Sequence, residues 1–244
     1  MSIRATGAVG LRVLTQLRRD PRTVALLLGV PCLLIILLHE LFASREQVFQ
    51  RVGGPLLGLF PFVSMFVVTS ITMLRERTTG TLERLMTLPL AKLDLLAGYG
   101  IAFAAVAAVQ ASLVSSVAFL GLDLNTEGPV WVVVALAIGN AVLGMALGLF
   151  ASAFASTEFQ AVQFMPAVVL PQLLLCGLFV ARAEMADWLR AVSDVLPLTY
   201  AYDALAHAVD DTFDLRFAVD LAITLGATVL ALVLGAVTLR RRTD

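Results

Sequence analysis

The chain has 244 residues, 59% of them hydrophobic and only 14% charged, with a mean hydropathy of +0.92. An ordinary soluble domain carries about 25% charged residues, so a water-soluble globule could not cover its surface with this set, and soluble enzymes, nucleic-acid binders and disordered scaffolds are demoted. The formal net charge of −1 says less than the way the charges are distributed.

In chain order, residues 1–22 come first and carry Arg4, Arg12, Arg18, Arg19 and Arg22. Ile3, Gly7, Leu11, Leu14 and Leu17 fall near helical spacing, with Arg4, Arg12, Gln16 and Arg19 mostly off that stripe. The pattern predicts an amphipathic helix lying in the interface with its guanidiniums toward lipid phosphates; a basic flank without fixed structure is the plainer alternative. Asp20-Pro21 marks its end, because the residue before a proline resists the α conformation.

Six apolar runs follow, roughly Thr23 to Ala43, Pro55 to Leu74, Leu95 to Leu120, Pro129 to Phe154, Ala161 to Ala181 and Phe217 to Leu239. Each has the length of about 20 residues that a helix needs to cross a bilayer, and the second to fifth contain no Asp, Glu, Lys or Arg. The expected fold is all-α: one polytopic domain over residues 1–244. Of the 17 Lys and Arg, 12 lie in the N-terminal segment, the loop 75–94 and the tail. By the positive-inside rule both termini are expected to be cytoplasmic.

Chemistry has few footholds. Cys32 and Cys176 sit inside apolar runs and read as small buried hydrophobes. Glu158, Asp220, His39 and Glu40 lie near span ends and read as solvated interface groups. With His39 and His207 the only histidines, a His-based metal or acid–base cluster is nearly excluded. A phosphate-cradling loop needs Gly-Lys followed by Ser or Thr, whereas the only lysine, Lys92, follows Ala91. If ATP drives this protein, another subunit binds it, and no metal or cofactor is expected on this chain.

The loop 75–94 reads RERTTGTLERLMTLPLAKLD. Its charge cluster, its Gly80 and the turn with Leu82, Leu85 and Met86 at i, i+3 and i+4 suit either docking into a groove on a soluble partner or an incidental turn in a basic loop. The stretch resembles the signature of type-2 ATP-binding-cassette (ABC) exporter permeases, on Arg75, Glu76, Arg77, Gly80, Thr81, Leu82, Glu83, Leu85 and Pro89. The resemblance implies that the segment, with Met86, is the coupling helix that contacts a nucleotide-binding subunit carrying ATP and magnesium. Thr78 stands where that pattern often has an acid, and Tyr99 where it often has a lysine.

A second match lies in the segment 182–216, where Ala186 to Val209 resembles the family's outer-face pair of short helices, broken at Pro197, Leu198, Thr199 and Tyr200. Trp188, Leu189, Val192 and Leu196 form one apolar stripe, and Leu198, Ala201, Tyr202, Leu205 and Val209 another. Neither piece is long enough to cross, so a re-entrant pair is expected where protein covers its backbone. Gly144 and Gly148 permit close helix contact, within the subunit or at a dimer seam. Pro166 and Pro171 interrupt span five, and Asn140, Gln163 and Gln172 could line a polar path or bond neighbouring helices.

The resemblance implies a permease subunit that pairs with a second, identical or related, permease over two ATPase subunits. Cargo would be amphipathic or hydrophobic, since little charge lines the spans, and within the family that means drug, lipid or peptide. Arg-heavy usage hints at a bacterial plasma membrane. The rival class is an intramembrane enzyme on lipid-linked substrates, using Asp203, His207, Asp210 and Asp211. A secondary transporter or channel lacks the expected inverted repeats and buried ions.

Overall fold

A computed structural model describes residues 3–80 and 92–238. Among them the regular structure is helical: α1 (Ile3–Arg18), α2 (Pro21–Leu41), α3 (Glu46–Thr78), α4 (Lys92–Ser116), α5 (Val130–Ala151), α6 (Glu158–Phe164), α7 (Leu170–Leu175), α8 (Asp187–Ser193), α9 (Pro197–Val209) and α10 (Leu215–Thr238). Wide π turns extend α4 through Val117–Gly121 and join α6 to α7 through Met165–Val169. Among the described residues six segments are long and apolar enough to cross a membrane: Pro21–Leu41, Glu46–Thr78, Ala97–Gly121, Val130–Ala151, Glu158–Leu175 and Leu215–Thr238. The protein is a multi-pass membrane protein with an all-α fold.

Asp20 caps α2, accepting from the Thr23 backbone N–H at 3.2 Å and from its hydroxyl at 2.7 Å. Pro21 then opens the helix where its missing N–H costs nothing. Those hydrogen bonds hold the Asp20 carboxyl below its ordinary pKa.

The second span begins at Glu46, nine residues earlier than its apolar run. Pro55 is therefore inside α3 and buried. The added turns are held by tertiary contacts: a Cβ on Gly53 would meet Leu124 at 2.8 Å, and one on Gly54 would meet Val209 at 2.5 Å. Gln50 donates to the Asp123 carbonyl at 3.0 Å and accepts from the Asn125 N–H at 2.7 Å. The fifth span ends at Leu175 instead of Ala181, because the chain reverses at Gly177 with φ of +105°, a conformation that side-chain-bearing residues resist.

The seam of the bundle is α3 against α5. A Cβ on Gly144 or Gly148 would collide with the carbonyl oxygens of Phe62 and Phe66, and one on Gly58 would meet the Asn140 amide at 2.5 Å. The two backbones thus touch directly, and this glycine pair packs within the subunit. Phe62, Met65 and Phe66 are fully buried beside it.

α1 lies on α4 through Thr6, Val9, Gly10 and Val13. A Cβ on Gly98 would stand 2.6 Å from that of Val9. This face differs from the stripe expected from spacing: Leu11 is 68% exposed. Leu14 and Leu17 are half-buried, and Leu14 packs against the core beside that face.

Gly148→Ala is expected to destabilise the folded chain by about 1–3 kcal/mol through overpacking. Gly139→Ala, whose Cβ would meet nothing within 4 Å, should be neutral or slightly stabilising. Unfolding midpoints of the two variants in one detergent check this, and equal midpoints would refute the seam.

Candidate functional site: the root of the coupling loop

Three successive residues at the end of α3 point about 100° apart around the helix, and each grips a different element. Arg75 donates from Nε and NH2 to the two carboxylate oxygens of Glu158, at 2.7 and 2.9 Å, tying α3 to the start of α6. Arg77 donates to the Ser152 carbonyl at 3.0 Å, at the end of α5. Glu76, only 3% exposed, accepts from Arg12 of α1 at 3.2 and 3.3 Å. Arg12 also donates to the Tyr99 hydroxyl of α4 at 3.3 Å.

A carboxylate this buried costs several kcal/mol unless it is paired and hydrogen-bonded, and Arg12 meets that condition. Burial works against the guanidinium, yet Tyr99 and Glu76 outweigh it and hold the Arg12 pKa above its ordinary value. Arg12 was expected to face lipid phosphates; the structure turns it inward because Glu76 is a nearer and drier counter-charge. Tyr99, noted above as a departure from the family pattern, supplies the third corner.

Just past this triplet, Thr79 donates its hydroxyl to the Arg75 carbonyl at 2.7 Å, and Gly80 adopts φ of +69°. A left-handed glycine after the last helical turn ends a helix cleanly. Thr81, Leu82, Glu83, Leu85, Met86 and Pro89 lie outside the described residues. On the return, the buried Asp94 accepts from the Thr6 hydroxyl of α1 at 3.5 Å. Both roots of the loop are therefore fastened to α1. Neither contact was foreseen from the sequence, where an isolated Arg12 and Thr6 gave no long-range signal.

At the opposite end of the bundle, α8 and α9 form the expected pair of short helices. The break lies at Asp194–Leu196, and Pro197 is the first residue of α9 instead of part of the break. Thr199 donates to the Ser193 carbonyl at 2.9 Å and Tyr200 to the Asp194 carbonyl at 2.6 Å. Arg182 pairs with Asp194 and, at 2.7 Å, with Asp203, and its guanidinium lies 5.8 Å from the Tyr200 ring centroid. Burial pushes the Asp203 pKa up, with Arg182 opposing.

The stripe of α9 is buried through Leu198, Ala201, Leu205 and Val209, whereas Trp188 of α8 is 69% exposed and Val192 also faces outward. Asn140 donates to the Ala201 carbonyl at 3.3 Å. Gln172 donates to the Val168 carbonyl at 3.1 Å and accepts from the Leu198 N–H at 3.4 Å. Gln163 is exposed on α6.

The acids read as a possible enzymatic cluster do not converge. Asp203 is held by Arg182, the His207 Nδ1 lies 2.8 Å from the Thr212 hydroxyl, and Asp211 occupies a positive-φ turn. Among the described residues no group of three His, Cys, Asp or Glu could hold a metal. Asp220, expected to be solvated, is 9% exposed, because α10 starts beneath α9 instead of standing free in the interface.

Residues 4–209 match the ABC-2 type transporter family. The chain is 26% identical over 147 residues to "ABC transporter G family member 20" of Dictyostelium discoideum, a match covering 60% of this chain and 20% of that one. It is 24% identical over 148 residues to "Probable multidrug ABC transporter permease YbhR" of Escherichia coli (strain K12), covering 61% of this chain and 40% of the relative. The aligned stretch is thus about one-fifth of the first relative and two-fifths of the second. The family match spans most of the chain and includes the triplet, α1 and the α8–α9 pair, so the chain belongs to the ABC-2 type transporter family and is an ABC transporter membrane subunit.

Proposed function

We propose that this subunit exports amphipathic or hydrophobic cargo (drug, lipid or peptide) together with a second permease, identical or related. The work comes from ATP hydrolysis, with magnesium, on a separate nucleotide-binding subunit docked under the loop that begins at Gly80. The observation that carries this reading is the triplet: the three residues preceding the loop each hold a separate helix. Closure of the ATPase would displace Gly80, Thr81, Leu82 and Glu83, with Leu85 and Met86 filling the partner's groove. Arg75 would pass the shift to α6, Glu76 to α1 and Arg77 to α5, moving packed helices as rigid bodies. The relative named as a multidrug permease supports the cargo class. Both termini lie on the cytoplasmic side of a bacterial plasma membrane in this reading, and Gly235 of α10 resting on Leu149 and Phe150 puts that helix end beside the triplet.

Three measurements test it. Replacing Leu82 and Glu83 together with Ala should abolish copurification with the ATPase while membrane insertion persists; undiminished copurification would remove the coupling role.

Glu76→Arg should lower ATP-dependent transport by about tenfold or more, the ~1.4 kcal/mol scale of one lost decade, with the ATPase still bound. The charge swap Arg12→Glu with Glu76→Arg should recover most of it. Full transport in the single variant would show that the pair carries no coupling.

For sidedness, in a background without Cys32 and Cys176, an impermeant thiol reagent added outside intact cells should label Asp187→Cys and Asp211→Cys and miss Arg84→Cys. The reverse pattern would invert the topology.

A further inference from the structure

Beneath α9, at the end of the bundle opposite the triplet, a cleft of about 940 Å³ opens against the start of α10, within the size range of small-molecule sites. Its walls include Tyr202, His207, Leu215, Arg216, Val219 and Asp220. Asp220 is the unexplained group. It belongs to a membrane-spanning helix, its side chain is 12% exposed, and among the described residues its carboxylate accepts no hydrogen bond, the Thr224 hydroxyl going to its backbone carbonyl at 2.8 Å. The nearest cationic candidate is the His207 ring, with Nε2 3.8 Å from Oδ2, too far for a hydrogen bond. The other ring nitrogen is already engaged by Thr212.

The remaining charges facing the cleft do not neutralise Asp220. Arg182 is committed to Asp203 and Asp194. Asp214 caps α10, accepting from the Phe217 N–H at 3.0 Å. Arg216 lies one turn before Asp220, exposed and without an ion pair among the described residues. Asp203, Asp214 and Asp220 line the cleft against two guanidiniums, Arg182 and Arg216, which leaves a surplus of negative charge. An ionisable group within a span, largely withdrawn from water and lacking a donor, is costly unless it serves a ligand or a pathway.

We propose that this cleft binds the positively charged nitrogen of an amphipathic organic cation, with Asp220 as its counter-charge and the apolar surface of Leu215 and Val219 beneath its hydrophobic body. Tyr202 adds an aromatic wall, which suits a cation. The proposal deepens the transport reading by naming a charge class of ligand and rests on it only for that ligand being cargo; the site itself needs no ATPase.

The test accordingly uses the permease chain alone in phosphatidylcholine nanodiscs, so that its failure is separate from failure of the coupling reading. The probes are ethidium, a fluorescent cation, and anilinonaphthalene sulfonate, an anion of similar size, followed by fluorescence titration. Asp220→Asn should weaken ethidium binding by about tenfold and leave the anion unaffected, and Asp220→Glu should retain binding. Arg216→Ala should strengthen ethidium binding by removing a competing cation. Glu40→Gln, an exposed acid outside the cleft, should change nothing. Should Asp220→Asn fold poorly, Val219→Trp, which fills the cleft, must give the same selective loss. Ethidium affinity unchanged by both Asp220→Asn and Val219→Trp, or an equal loss in Glu40→Gln, would overturn the site.

Discussion

The contact between the backbones of α3 and α5 governs most of what the rest of the molecule does. Within lipid there is little hydrophobic drive for one helix to seek another, so association depends on close van der Waals approach and on polar bonds. Gly144 and Gly148 allow that approach by leaving room for the Phe62 and Phe66 carbonyls. Once the two helices are registered, Asn140 is placed to reach the Ala201 carbonyl at one end. At the other, Arg77 is placed to reach the Ser152 carbonyl. The seam thus positions both the α8–α9 pair and the loop root.

The second constraint is electrostatic. Glu76 lies where water is scarce, and removing one partner from such a pair typically costs about 3–5 kcal/mol because the other charge is left stranded. That stranding makes the Arg12 contact selective: α1 can rest on α4 in the register that brings Arg12 to Glu76 and Thr6 to Asp94, and a register shift would lose both. Gly98 and Gly10 let the helices approach closely enough for those bonds to form.

Much of this was legible from the chain itself. Six spans, the amphipathic first helix, the paired short helices and the family all follow from hydropathy, basic-residue distribution and two motifs. Element ends were less so. Pro55 looked like the start of a span because proline suits a first turn, but the bonds of Gln50 to the 123–125 segment and the packing of Gly53 and Gly54 prolong α3 beyond it. The face that α1 lays on α4, with Thr6, Val9 and Val13, is not legible from periodicity, because it is marked by small and β-branched residues and not by the leucines. The burial of Asp220 beneath α9 and the pairing of Arg12 with Glu76, 64 positions away, depend on long-range packing, which spacing within one helix cannot reveal.

The two fastenings of α1 have a mechanical corollary. A segment tethered at a single point can swing in any direction, whereas one pinned at two points retains rotation about the line that joins them. With Glu76 held by Arg12 and Asp94 held by Thr6, that line runs along the first helix. In the proposed reading, a push on the loop would become torque about that line, with the first helix as the axle.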